Sequence, residues 1–413
     1  MKQEIIRTPS YYVRKRLFKN WPAVIGMIFI VACTLIAIFA YNIMPDATPS
    51  ANDGAVQIQK QPPGFQTFIL KTSRNVEVEQ HNFFYKMLWG QETKYTILPI
   101  VDYSIEGMDV KYTPSGRVQI PERVPIIKLM FPLYSGNSKM PGFDSTLNYK
   151  YEGDNVAYID QNGSQKSIAK AELITKFKDE LIEKRTYLLG TDKAGRDMLS
   201  RLLFGTRISL GIGFVSVLIS LLVGVSIGAI GGYFGKRIDL FIMWLMTVVW
   251  SIPGIMLVIA ISLALNSKGI WVAFVAVGLT SWVEIARVVR GQIMSIKEKT
   301  YVEAAKALGI KNFTIILKHI LPNLMGPIIV IATSNFASAI LTEAGLSFLG
   351  LGVQPPMPSW GMMVNEGFHS IGTQNSWHLI LLPSLAISML VLAFNLFGNG
   401  LRDAYDPQVA TKW

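Results

Sequence analysis

The chain has 413 residues, 50% of them hydrophobic and only 16% charged, with a mean hydropathy of +0.35. Soluble domains carry about 25% charged residues, so this depletion excludes an ordinary soluble protein and points to membrane spans. The formal net charge of +11 does not call for a nucleic-acid partner, because residues 45–186 hold 17 Lys/Arg against 17 Asp/Glu and the excess lies in the apolar part and its short loops.

Taken in order, the chain starts with a basic tail, 1–21, and then presents six stretches apolar enough to cross the hydrocarbon core. A helix needs about 20 mostly apolar residues for that. The six are 22–44, 208–232, 239–265, 270–289, 324–345 and 378–400, followed by a tail, 401–413. No small-residue cleavage site closes the first run, so it reads as a retained span rather than a signal peptide. Lys2, Arg7, Arg14, Lys15, Arg16 and Lys19 precede it, Lys236 and Arg237 sit in one turn, and Arg287, Arg290, Lys297, Lys299, Lys306, Lys311 and Lys318 fill the loop 285–323. With the C-terminal tail, one side collects 17 Lys/Arg; the other short loops hold Lys193, Arg196, Arg201, Arg207 and Lys268. By the positive-inside rule both termini and the long basic loop are expected in the cytoplasm, and residues 45–186 outside.

Residues 45–186 are long enough for a domain. Pro45, Pro49, "ANDG" and Pro62-Pro63 read as a linker. "YTILPIVDYSI" (95–105) and the run 117–134 have strand character, with "TPSG" (113–116) as the turn between them. In 167–185, Ile168, Leu173, Ile174, Phe177, Leu181 and Ile182 recur at helical spacing, which predicts a helix. The expectation is a small α+β domain with a binding or gating role. "GTDKAGRD" (190–197) has two glycines at P-loop spacing, but Arg196 and Asp197 stand where Lys and Ser/Thr are needed. "GLSFLGLG" (345–352) follows a span, not a strand. The sequence therefore offers no recognised ATP-binding element of its own.

In 208–232, Gly224, Gly228 and Gly232 recur every four residues, a spacing that lets helices approach closely. "SIPG" (251–254) predicts a kink, since proline removes a backbone hydrogen bond. Asp239, Glu284 and Glu343 fall near span ends, and no relay of carboxylates or histidines crosses the middle, which argues against ion coupling. Without such a cluster a membrane-embedded enzyme is excluded as well. The lone Cys33 rules out an internal disulfide and a Cys-based metal site; His81, His319, His369 and His378 lack ligand spacing. The methionines Met140, Met357, Met362 and Met363 read as packing rather than metal capture. Ser216, Ser220, Asn335 and Asn395 are the candidate pathway residues.

The stretch 303–323, "EAAKALGIKNFTIILKHILPN", lies within the loop 290–323. Thr300 and Glu303 are placed for a capping box. Ala304, Ala305 and Ala307 would give a face with almost no bulk, Gly309 a terminating turn, and "KNFTIILKHILPN" a second helix stopped near Pro322. On residue chemistry alone, two readings stand: a surface for another protein, or an amphipathic helix lying on anionic lipid.

Glu303-Ala304-Ala305, then Gly309, then Leu321-Pro322 resembles the signature of bacterial ABC importer permeases, with His319 standing where the family has Ile. The segments 189–210, 231–257 and 343–367 resemble the dipeptide/oligopeptide/nickel subfamily, and its C-type subunit most of all. The resemblance covers nearly all residues outside 45–186, an insertion that departs from the family. It implies an α-helical polytopic fold, with 22–44 and five helices in 187–400, in the bacterial inner membrane. It further implies a second, different permease subunit, two ATPase subunits that hold ATP and Mg²⁺, and an extracytoplasmic substrate-binding protein. Glu303, Ala304, Ala305, Ala307, Gly309, Leu321 and Pro322 would then couple to an ATPase. The expected cargo is a di- or oligopeptide. Nickel or another small solute is the alternative within this class, and a ligand-sensing membrane scaffold the alternative outside it.

Overall fold

Apolar runs dictate most of the architecture in the computed structural model, which describes residues 9–76, 78–117, 119–134, 148–266, 269–372 and 376–406. Lys2, Arg7, Met140, Lys268 and Lys412 lie outside the described residues. Helix α1 (Pro9–Lys19) leads into the first span, α2 (Trp21–Ile38), and one further turn, α3 (Ala40–Ile43). The insertion follows, with β1 (Phe65–Ser73), α4 (Phe83–Trp89), β2 (Tyr95–Glu106), β3 (Asp109–Pro114), β4 (Glu122–Pro125) and α5 (Ile126–Met130). It continues through β5 (Tyr149–Glu152), β6 (Asn155–Ile159), β7 (Gln165–Ala169), α6 (Lys170–Lys176) and β8 (Ile182–Tyr187). The long helices come next: α7 (Met198–Phe234), α8 (Lys236–Trp250), α9 (Gly254–Ala264), α10 (Ile270–Gly278) and α11 (Trp282–Ile296). Two short helices, α12 (Thr300–Ala307) and α13 (Asn312–Thr314), precede α14 (Met325–Phe348), α15 (Trp360–Phe368) and α16 (Trp377–Tyr405).

Among the described residues, five helical runs are long and apolar enough to span a membrane, and the bent pair α8–α9 makes a sixth if it is one span. The bend is 89° and falls at the sequence "SIPG". Pro253 has no N–H to donate and stands at the start of α9, so the backbone ladder cannot run through. The run predicted to stop near Pro322 does not stop. It continues from Asn312 to Phe348, because a π-turn (Ile315–Ile320) and a 3₁₀ turn (Leu321–Leu324) re-route the hydrogen bonds around the proline.

The chain divides into two compact units, one holding Gly205–Asn365 with the first and last spans, the other Phe39–Phe204 with Glu366–Leu379. In the span unit, α7 lies directly on α11. A Cβ added at Gly224 would sit 2.7 Å from the Trp282 carbonyl oxygen, at Gly228 2.5 Å from that of Ala286, and at Gly232 2.7 Å from that of Arg290. Steps of four on one helix thus meet steps of four on the other, backbone against backbone. Asp239 on α8 and Arg290 on α11 add a bidentate ion pair, with Arg290 Nη2 donating to Asp239 Oδ2 at 2.6 Å. In the last turn of α14, Ser347 donates to the buried Glu343 carboxyl at 2.6 Å and accepts from the Val353 amide at 3.1 Å, fastening the turn that follows.

The second unit is α+β. Its main sheet is antiparallel in the order β4-β3-β2-β1-β8, and β5-β6-β7 form a smaller one. Leu70, Ile100, Val110, Ile127, Leu173 and Phe177 fill the core between the sheets and α5–α6. Three sequence expectations are corrected here. The "TPSG" segment ends β3 rather than joining 95–105 to 117–134; β2 turns into β3 at Gly107–Met108 instead. Among its described residues, the run 117–134 contributes a four-residue strand, then helix α5 and a single bridge at Leu133. The helix expected over 167–185 covers Lys170–Leu181 alone, as α6 and a π-turn. Its flanks are strands, because Ile168 pairs with Val156 and Ile182 with Leu70. Those long-range partners outweigh the local 3.6-residue spacing.

The P-loop lookalike folds as a turn built on its own carboxylates. Asp192 Oδ1 accepts from the Ala194 and Arg196 amides, and Asp197 Oδ2 accepts from the Ser200 amide at the start of α7. Arg196 and Arg201, both buried, reach Asp192 at 2.6 and 3.1 Å and Glu366 at 3.5 and 3.4 Å. Two guanidinia thus neutralise two carboxylates away from water, which is what makes their burial tolerable.

The "ANDG" linker is likewise organised by a carboxylate. Buried Asp46 accepts from the amides of Thr48 and Asp53 at 2.9 and 3.0 Å. Asp53 is partly buried, and burial together with the Asp46 charge pushes its carboxyl from 3.8 up to about 6. A folded value above the unfolded one means the ionised form is disfavoured by folding. The favourable contribution is present below about pH 4 and is lost as pH rises through about 6. Asp53→Asn is therefore expected to raise the melting temperature of the purified chain at pH 7.5, by the equivalent of about 1–2 kcal/mol after solvent screening. The gain should vanish by about pH 4; an equal gain at both pH values would contradict the assignment.

Candidate functional site

The loop between α11 and the run starting at Asn312 is a helix held firmly on one side and open on the other. Along α12, Val302 and Ala305 point inward and join Ile285, Val289, Ile293 and Ile315 in one apolar cluster. Residues three apart share a helix face, and residues three or four apart on the opposite side share the other. That second face carries Ala304, Ala307 and Leu308, all exposed, with Glu303 beside them. Leu308 is 80% exposed and Phe313, across the turn, 72%. The three alanines thus do not share a face as the sequence suggested: Ala305 belongs to the core, and Leu308 takes the third exposed place.

Gly309 ends the helix with φ +73°. The Ile310 amide donates to the Ala305 carbonyl at 3.2 Å and the Gly309 amide to that of Lys306 at 3.0 Å. This is a Schellman motif, and Ile310 packs back onto the cluster as that motif requires. The expected capping box is absent. Lys299 is the N-cap residue, with no side-chain bond to the helix, and Thr300 is already the first helical residue.

Side chains that sequence reasoning did not single out fix α12 in place. Tyr233 at the end of α7 donates its hydroxyl to Asn312 Oδ1 at 2.8 Å, and Lys306 Nζ lies 5.4 Å from the Tyr233 ring centroid. Asn323 Nδ2 donates to the His319 carbonyl at 2.7 Å and to the Tyr301 hydroxyl at 3.2 Å. Asn323 thereby gives the His319 carbonyl a side-chain donor and links α12 to the base of α14. The only sequence signal for it was an amide directly after a proline. Leu321 is half-buried and Pro322 exposed. Displacement of α12 therefore has a packed route into α14 through Ile315, Ile320 and Leu324.

The four candidate pathway residues fall on three helices, with Ser216 and Ser220 one turn apart on α7, Asn335 on α14 and Asn395 on α16. Ser216 and Ser220 are buried and donate to the Phe274 and Gly278 carbonyls, at 3.2 and 2.7 Å, tying α7 to α10. Asn335 is buried on α14 and Asn395 exposed on α16.

Among the described residues, five candidate spans, a bent pair that makes a sixth, and a small helix packed on their bundle define a multi-pass α-helical membrane protein. Residues 200–411 match the family described as "Binding-protein-dependent transport system inner membrane component", and residues 8–63 match the "N-terminal TM domain of oligopeptide transport permease C". The chain belongs to this transport family: it is an ABC importer permease subunit, not an enzyme. It is 44% identical over 221 residues to the glutathione transport system permease protein GsiD of Pectobacterium atrosepticum, covering 54% of this chain and 72% of that one. It is also 44% identical over 220 residues to the dipeptide transport system permease protein DppC of Bacillus subtilis, covering 53% and 68%. Among solved structures it is similar to the inward-facing MetNI methionine ABC transporter, with TM-score 0.43 and 18% identity over 51% of this chain and 98% of that one.

Proposed function

We propose that the chain is one of two different permease subunits of an ATP-driven importer for di- or oligopeptides in the bacterial inner membrane. The observation that carries this reading is α12, rigid against its own bundle through Val302 and Ala305 yet open along Glu303, Ala304, Ala307 and Leu308. Such a face suits a protein cleft, because Ala304 and Ala307 let a partner's surface approach closely and Leu308 offers it an apolar side chain. Two ATPase subunits, which hold ATP and Mg²⁺, dock from the cytoplasm, and one receives α12. Nucleotide-driven closure moves α12, and the packed route through Asn323 and Leu324 carries the motion into α14. Both termini and the loop 290–323 are cytoplasmic, in line with the charge bias. The insertion 45–186 is extracytoplasmic, where a substrate-binding protein delivers cargo. Asn335 and Asn395 stay as pathway candidates, while Ser216 and Ser220 already serve helix packing. The peptide cargo is supported by the names of the relatives GsiD and DppC.

The test is uptake in cells lacking the chain and in cells given it back. Restoration of energy-dependent labelled tripeptide uptake, with Ni²⁺ uptake unchanged, is expected. Restored Ni²⁺ uptake alone would give the importer a different cargo. A ligand response without flux of either would favour the sensing scaffold.

A further inference from the structure

The sequence "NFFYKMLWG" (82–90) forms a helix that its own domain does not cover. Asn82 caps α4 by accepting from the Tyr85 amide at 2.8 Å. Gly90 ends it with φ +80°, and a Cβ there would lie 2.7 Å from Tyr41 and 2.8 Å from the Ala47 carbonyl oxygen. Between these caps no residue is buried. Phe84 and Trp89 are 70% and 64% exposed, and Phe83, Tyr85 and Leu88 are exposed beside them. Five large apolar side chains within seven residues exceed the scattered exposure normal for a protein surface.

The position of this helix in the chain says what covers it. Its closest helical neighbour is α3, and the Gln91 amide just beyond it donates to the Ala47 carbonyl at 3.0 Å. Helix α3 begins two residues after the first span ends at Ile38. The 18 residues of α2 rise about 27 Å at 1.5 Å each, nearly the full hydrocarbon core of about 30 Å. Residues 40–43 therefore stand within roughly 8 Å of the core edge, inside the headgroup layer. We propose that α4 is a membrane-interface anchor, lying in the lipid headgroups with its aromatic side chains in the upper acyl region. Trp and Tyr favour that layer, where an amphipathic ring meets both phases. The single charged residue of the helix, Lys86, suits the phosphates of anionic lipid. The anchor would hold the inserted domain against the bilayer at its entry.

The test uses the full chain with Cys33→Ala, so that only an introduced cysteine reacts. Phe84→Cys and Trp89→Cys are labelled separately with an environment-sensitive fluorophore and reconstituted in phosphatidylethanolamine/phosphatidylglycerol bilayers. Both side chains are exposed, so neither change touches the core. The expected result is loss of most emission when nitroxide lipids labelled at the headgroup or upper acyl chain are included, with protection from iodide in the water. Quenching by iodide with no response to nitroxide lipid would overturn the proposal. Protection from both would also overturn it, giving this surface to a protein partner.

Discussion

Glu303→Lys is expected to abolish peptide uptake while the chain stays in the membrane at its normal level. Glu303 is exposed and is the only carboxylate on α12, with Lys306 on the same helix and Lys299 and Lys311 just outside it. A surface substitution of this kind shifts a protein's own stability by no more than about 0.5 kcal/mol. A total loss of transport must then arise where another protein meets the helix. Reversing the charge takes the one carboxylate off α12 and leaves the helix with two lysines, and like charge facing a partner costs several kcal/mol. Gly309 supplies a second and independent lever. Its φ of +73° lies outside proline's range, and its amide donates to Lys306, so Gly309→Pro destroys the Schellman turn. Gly309→Ala is the informative contrast. No atom lies within 4 Å of the added Cβ, so only the left-handed backbone cost of about 1–2 kcal/mol applies. The expected order of uptake is wild type, then Gly309→Ala, then none for Gly309→Pro and Glu303→Lys. Normal uptake by both of the last two would remove α12 from the mechanism.

The second large effect is expected at Gly228. A Cβ there would meet the Ala286 carbonyl oxygen, carbonyl carbon and Cα within 3.1 Å, all of them backbone atoms that cannot swing aside. Overpacking a tight contact costs about 1–3 kcal/mol even where side chains can adjust. Within a bilayer no hydrophobic force pushes separated helices back together. Gly228→Leu should therefore part α7 from α11 and strain the Asp239–Arg290 pair between α8 and α11. The chain should be lost from membranes or aggregate on extraction. Gly211 lies on the same helix with nothing within 4 Å of an added Cβ. Gly211→Leu is expected to leave the extracted chain monodisperse. Size-exclusion profiles of the two variants decide the point, and identical behaviour would show that the glycine ridge carries no packing role.

The membrane part was legible in the sequence because its determinants are local. Runs of about 20 apolar residues, a proline at 253 and glycines at 224, 228 and 232 each act through their own helix or the next one packed on it. The inserted domain was less legible because its determinants are remote. Ile168 and Ile182 have the spacing of a helix, yet Val156 and Leu70 draw them into strands. Arg201 counted as a loop cation until the fold brought it to Glu366, 165 residues away. Helix α4 escaped notice for a different reason. "FFYKMLW" is apolar nearly all round, so it shows no amphipathic period, and only its lack of cover in the fold makes it conspicuous. On α12 the residue types were right and the geometry was not. Three alanines suggested one bare face, but the 100° step sends Ala305 inward and puts Leu308 in its place.

The coupling role of α12 is tested most directly by what travels with the chain. The tagged chain would be extracted from its native membrane in mild detergent, beside its Glu303→Lys variant, and the copurifying proteins identified by mass. The account predicts a second permease and two ATPases with the wild type, and the same permease without the ATPases for the variant. Recovery of the chain alone, or as a homodimer, from both preparations would contradict it.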